Sequence, residues 1–123
     1  MLKYEAKTEP PVEPLFGALA DSTRRAMVDR LILGPATVSE LARPLPVSLP
    51  AVVQHLHVLE ASGLVRSSKA GRVRTCSIRP EALACAEHWI AERRRMWERS
   101  LDELGQFLAA HPSQPSTQKG SRQ

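Results

Sequence analysis

Between Thr37 and Ile78 the chain carries two helix starts, two helix stops and then a change of hydrophobic period, and few folds accept that order. Thr37-Val38-Ser39-Glu40 has the form of a capping box, in which the Thr37 hydroxyl takes the amide of Glu40 while the Glu40 carboxylate reaches back to Thr37. The helix it starts must be short, because Pro44 disfavours helical geometry at Arg43 and removes a donor. After the turn Leu45-Pro46-Val47, Ser48 is the next cap, and Pro50 falls in the first turn of the following helix, where proline is tolerated. Val52, Leu56 and Leu59 form the buried stripe of that helix, and Gly63 stops it. Leu64-Val65-Arg66-Ser67 and Val73-Arg74-Thr75-Cys76-Ser77-Ile78 then read as strands joined by a turn at Lys69-Ala70-Gly71, a β-hairpin.

Ahead of this block, Leu15, Phe16, Leu19 and Ala20 share one stripe of a short first helix. Asp21 and Ser22 offer caps to a second, whose Met27, Val28, Leu31 and Ile32 follow helical spacing. Gly34-Pro35 ends it. Pro80 opens a long last helix over about residues 81–110, with Leu83, Trp89, Ile90, Trp97, Leu101, Leu104, Phe107 and Leu108 on its apolar positions. The expected architecture is mainly α with a small β-hairpin, a winged helix-turn-helix of about five helices plus a two-stranded wing. In a chain of 123 residues this is one domain, residues 13–110. Residues 1–12 are expected as a flexible arm and residues 111–123, nearly without apolar side chains, as a disordered tail. The apolar runs are far shorter than the ~20 residues of a membrane span. Two cysteines without an apolar leader read as reduced thiols in a cytoplasmic protein.

Charge placement points to a partner. Lys and Arg number 17 against 13 Asp and Glu, but residues 41–80 hold six cations (Arg43, Arg66, Lys69, Arg72, Arg74, Arg79) and one acid, Glu60. A basic stretch in an otherwise balanced chain favours a polyanion, nucleic acid first. On a helical wheel with Val52 inward, Pro50, Gln54, His57 and Ala61 face outward, Val53 lies to one side, and His55 sits at the core boundary as a structural histidine. An outward face without acids until Glu60 suits a major groove: Gln54 can bond two edges of adenine, and His57 can donate to guanine or phosphate. Lys69, Arg72 and Arg74 crowd the hairpin turn with no acid nearby, as a wing lying along phosphates requires. The expected DNA-binding set is Arg43, Ser48, Leu49, Pro50, Val53, Gln54, His57, Lys69, Arg72 and Arg74.

The joint pattern resembles the ArsR/SmtB family of transcriptional repressors. The resemblance rests on Phe16-Gly17-Ala18-Leu19-Ala20-Asp21-Ser22-Thr23-Arg24-Arg25, on Thr37-Val38-Ser39-Glu40-Leu41-Ala42, on Val47-Ser48-Leu49-Pro50-Ala51-Val52-Val53-Gln54-His55-Leu56, and on Val58-Leu59-Glu60-Ala61-Ser62-Gly63-Leu64-Val65. It implies a homodimeric repressor on double-stranded DNA at an imperfect inverted repeat, with the first and last helices pairing across the dimer. The residues expected there are Leu15, Phe16, Leu19, Trp89, Ile90, Trp97, Leu101, Leu104 and Leu108. The chain departs from the metal-sensing members: Glu40-Leu41-Ala42-Arg43-Pro44 stands where they carry a Glu-Leu-Cys-x-Cys pattern, and Glu87, His88 and Glu92 do not match the Asp/His pairs of the zinc sensors.

Cys85, His88 and Glu92 share one helix face, but three such groups at helical spacing arise by chance, so no metal and no other cofactor is expected. Cys76 is expected on the core side of its strand as a small hydrophobe. The alternatives are a thiol- or metal-responsive sensor of the same fold using Cys76 and Cys85, and a winged-helix module for protein contact, which would need an acidic or apolar outward face. No phosphate loop, paired carboxylates or activated nucleophile supports an enzyme. The residues name no inducer.

Overall fold

The computed structural model describes residues 11–112. Its elements run α1 (Glu13–Ala18), α2 (Ser22–Ile32), β1 (Ala36–Thr37), α3 (Val38–Ala42), α4 (Leu49–Ala61), β2 (Val65–Ala70), β3 (Val73–Ile78) and α5 (Pro80–Ala110). Most of the expected arm (Met1–Pro10) and tail (residues 113–123) lies outside the described residues. Val12 caps α1 and packs against the core.

Each central helix begins at the cap its sequence names. The Asp21 carboxylate accepts from the Arg24 amide at 3.0 Å, and the Ser48 hydroxyl from the Ala51 amide at 3.3 Å. At α3 both halves of the capping box form: Glu40 N–H donates to the Thr37 hydroxyl at 3.1 Å and Thr37 N–H to the Glu40 carboxylate at 2.9 Å. The end of α4 is set by Gly63, whose φ of 85° only glycine adopts freely. The Gly63 amide bonds the Glu60 carbonyl and the Leu64 amide reaches the Leu59 carbonyl, the paired closure of a Schellman motif.

The caps carry a pH dependence. The Arg24 backbone N–H, and then the nearby Arg24 charge, hold the Asp21 carboxyl below the usual carboxylate range. The Thr37 backbone N–H and hydroxyl do the same for Glu40. A depressed folded pKa adds stability that is present above the unfolded value and is lost as pH falls through the folded one. Thermal melts should therefore shift downward between about pH 5 and about pH 3, and Asp21→Asn with Glu40→Gln should flatten that decline. An unchanged slope in the double variant would refute the assignment.

The sheet has one strand more than expected. β1 pairs antiparallel with β3 (Ala36↔Cys76, Thr37↔Thr75), which pairs antiparallel with β2, so the order is β1-β3-β2. The wing is also longer than the sequence pattern indicates: β2 continues to Ala70, and the turn is Gly71-Arg72, with Gly71 at a φ of 65°. A two-residue turn of this kind matches the twist of the strands it joins. Lys69 and Ala70 consequently belong to the ladder, opposite Arg74 and Val73.

The chain divides into two units at His88/Trp89. The first holds the core, in which Met27, Val28 and Leu31 of α2, Leu41 of α3, Val52, Leu56 and Leu59 of α4, Val65 and Cys76 of the sheet, and Ala82 and Cys85 of α5 are buried. Ile32, expected on the α2 stripe, is 60% exposed, because the helix ends there and its last position turns off the buried face. In the first helix the inward positions are Leu15 and Ala18, with Ala20 exposed beyond the helix end. Leu15, expected at a dimer interface, is fully enclosed by this chain's own core, so it has no surface to offer a partner. The second unit consists, within the described residues, of the rest of α5, whose side chains are exposed almost throughout. Among the described residues no helix is long and apolar enough to cross a membrane.

Candidate nucleic-acid interface

α3 and α4 form the helix-turn-helix, joined by residues 43–48. With Val52, Leu56 and Leu59 anchored in the core, α4 presents Leu49, Pro50, Gln54 and His57 to solvent, and Val53 is half-buried. Ser48 is exposed, but its hydroxyl is engaged as the helix cap. Arg43 is exposed at the C-cap of α3. His55 is half-buried and has partners that sequence periodicity does not reveal: the Arg24 Nη1 lies 3.2 Å from its Nδ1 and the Asp21 carboxylate 3.8 Å away. A guanidinium only donates, so Nδ1 accepts and the ring proton sits on Nε2. Arg24 also donates to the Ala18 and Gly17 carbonyls at 2.7 and 3.3 Å, tying the end of α1, the start of α2 and the middle of α4 together. The paired Arg24-Arg25 after a cap was the available signal, but no spacing rule links it to His55.

On the wing, Lys69 and Arg74 face each other across the ladder and Arg72 lies in the turn, all three exposed. They border an open cleft of about 400 Å³ together with Thr37, Val38 and Ser39 at the start of α3, Leu49 at the start of α4, and Val73. The arginines and lysine of the wing and the first turn of α4 thus share one groove. Ser39, which lines the cleft, was not expected at the site. One expectation needs correction: Arg74 does have an acid nearby. The Glu60 carboxylate at the end of α4 lies 3.9 Å from its Nη1, and the Ser67 hydroxyl bridges them, accepting from Arg74 at 2.8 Å and donating to Glu60. The hairpin register brings these three together.

Cys76 is fully buried, and burial first, with the Glu60 charge second, pushes its thiol up against an opposing contribution from Arg74. A raised thiol pKa makes a poor nucleophile at neutral pH. Among the described residues no group of three or more His, Cys, Asp and Glu side chains is arranged to hold a metal ion.

In the second unit, Trp89, Ile90, Trp97, Leu101, Leu104, Phe107 and Leu108 are exposed, Trp97 to 65%. The Arg93 guanidinium lies 4.1 Å over the Trp89 ring.

A family model described as a helix-turn-helix domain matches residues 19–68. The HTH-type transcriptional regulator Rv2034 of Mycobacterium tuberculosis is 47% identical over 91 residues, 74% of this chain and 82% of that protein. The transcriptional repressor SdpR of Bacillus subtilis is 26% identical over 76 residues, covering 62% of this chain and 84% of that one. The crystal structure of an ArsR family transcriptional regulator superposes with a TM-score of 0.69 at 52% identity, covering 71% of this chain and 96% of that one.

Proposed function

The chain belongs to the ArsR family of winged helix-turn-helix transcriptional regulators, and from that premise we propose that it is a cytoplasmic, dimeric repressor which reads an imperfect inverted repeat with α4 and grips the flanking phosphates with its wing. The observation that carries this reading is the shared cleft: the exposed first turn of α4 and the wing cations Lys69, Arg72 and Arg74 border one groove. A helix seated in a major groove with an adjacent basic hairpin needs that juxtaposition. The outward face of α4, with Pro50, Gln54 and His57, is neither acidic nor strongly apolar, which favours DNA over a protein partner. The apolar stripe of α5 favours a second copy of the chain, and a two-fold dimer carries two α4 helices to two half-sites. Repression follows if the dimer occupies a promoter, the activity that the name of the SdpR relative records.

The helix and the wing contribute differently, and that difference is the test. Genomic fragments selected by the protein supply the operator, and variants are then titrated against operator and scrambled duplexes. Gln54→Ala should cost about 1–3 kcal/mol on the operator and little on scrambled DNA. Arg72→Ala should weaken both by similar factors and lower the salt slope by about two, one contact from each protomer of the dimer. Equal losses for Gln54→Ala on both duplexes would remove α4 as the reader.

A further inference from the structure

We propose that Glu60 and Ser67 are positioning residues, which hold Arg74 at the cleft so that it meets one DNA phosphate in a fixed register with α4. The inference rests on the DNA-binding reading and adds to it two residues that touch no nucleic acid themselves.

Glu60 is the one acid in residues 41–80, where any carboxylate opposes binding to a polyanion. It stands in the last turn of the reading helix and faces the sheet. Directly opposed residues share a sheet face, and so do residues two apart on a strand. Ser67 lies opposite Cys76, and Lys69 opposite Arg74, on the face that buries Cys76. Arg74 therefore emerges on the α4 side of the wing, above the core, where Ser67 and Glu60 meet it.

The bonding has one direction. A serine hydroxyl has a single proton, and Ser67 gives it to the Glu60 carboxylate. Its lone pairs then face Arg74, whose Nη1 donates at 2.8 Å. The Glu60 carboxylate lies 3.9 Å from the same nitrogen. The relay runs from α4 through β2 to β3 and uses one corner of the guanidinium. An arginine carries five N–H donors, so those not engaged here stay available in the cleft that Arg74 lines with Lys69, Arg72, Ser39 and Leu49. A pair this exposed adds little to stability, with the Arg74 side chain 45% accessible. What it does supply is orientation. A free arginine loses rotamer entropy when it grips a phosphate, whereas a held one has already lost it. The same contacts fix the wing angle relative to the helix that reads bases.

The test uses the full chain, with anisotropy titrations on operator and scrambled duplexes at several salt concentrations. Ser67→Ala should weaken binding to both duplexes about five- to tenfold and lower the salt slope by about two, one contact per protomer, as Arg74→Ala should. The double variant should bind no more weakly than Arg74→Ala alone, whereas Arg72→Ala should add its full loss to that of Ser67→Ala. Ser67→Thr, which keeps a hydroxyl, should bind like the parent protein. Glu60→Gln, which keeps an acceptor for Ser67, should lose less than Ser67→Ala. A Ser67→Ala protein that melts lower but keeps its salt slope would overturn the proposal, because the contact would then be structural only. Multiplying losses for Ser67→Ala and Arg74→Ala would overturn it too. Tighter binding of Glu60→Gln to scrambled DNA would overturn it by showing that Glu60 merely neutralises Arg74. An Arg74→Ala variant with reduced slope beside an unaffected Ser67→Ala leaves the DNA-binding reading standing and sinks this inference alone. Parent protein without salt-dependent binding would sink both.

Discussion

Raising salt from about 50 to about 200 mM should weaken binding to duplex DNA roughly 10⁴-fold. Each protomer offers about four cations to phosphates, namely Arg43 at the C-cap of α3 and Lys69, Arg72 and Arg74 on the wing, all of them exposed. A dimer neutralising ~8 phosphates releases their counterions, which gives a log–log slope near −7. The cleft makes this steepness specific, because the wing cations border the first turn of α4 and must engage the backbone whenever the helix enters the groove. Titration of operator duplex over that salt range is the measurement. A slope shallower than about −3 would mean that the wing does not touch the backbone.

Leu101→Glu combined with Leu104→Glu should convert the protein to a monomer at micromolar concentration. Both side chains are about half exposed, at 47% and 53%, on a stripe that also carries Trp97, Phe107 and Leu108. A contiguous apolar face of this kind on a lone chain is an aggregation hazard unless a partner covers it. Burying one leucine contributes about 1.5–3 kcal/mol, and the double substitution removes two from each protomer of a symmetric pair and puts charges in their place. Operator affinity should fall with the dimer, since one α4 then reads one half-site. Sedimentation velocity beside operator titration gives both readouts. A parent protein that sediments as a monomer at micromolar concentration would refute the interface outright.

The helix-turn-helix was legible because its signals are local. Thr37 with Glu40, Ser48 before Leu49-Pro50, and Gly63 after Ala61 each act within a few residues, and all three set their helix ends as the residue types require. The α4 wheel was legible for a similar reason: once Val52, Leu56 and Leu59 point inward, rigid helical geometry leaves Gln54 and His57 no face but the outer one. The wing was legible as a hairpin but not in its length, since alternation weakens along Ser67, Ser68 and Lys69, where neither face is strongly apolar. β1 had no sequence signal at all, because two residues carry no period and its existence depends on the edge that β3 offers to Ala36 and Thr37.

The distinction reaches the site. Sequence alone determined which cations the chain places after α4 and which residues of that helix face outward, since charge is a matter of composition and facing a matter of period. Tertiary structure decided which of those cations is held. Arg74 meets Ser67 and Glu60 because one hairpin register, of several that a polar ladder permits, puts Ser67 beside Cys76 and turns Arg74 toward α4. His55 meets Arg24 and Asp21 because α2 packs across α4 at that turn. Leu15 went to the core rather than to a partner because the short α1 spends its inward positions closing that core. Contacts between residues far apart in the chain follow from register and packing, and neither is encoded in a window of ten residues.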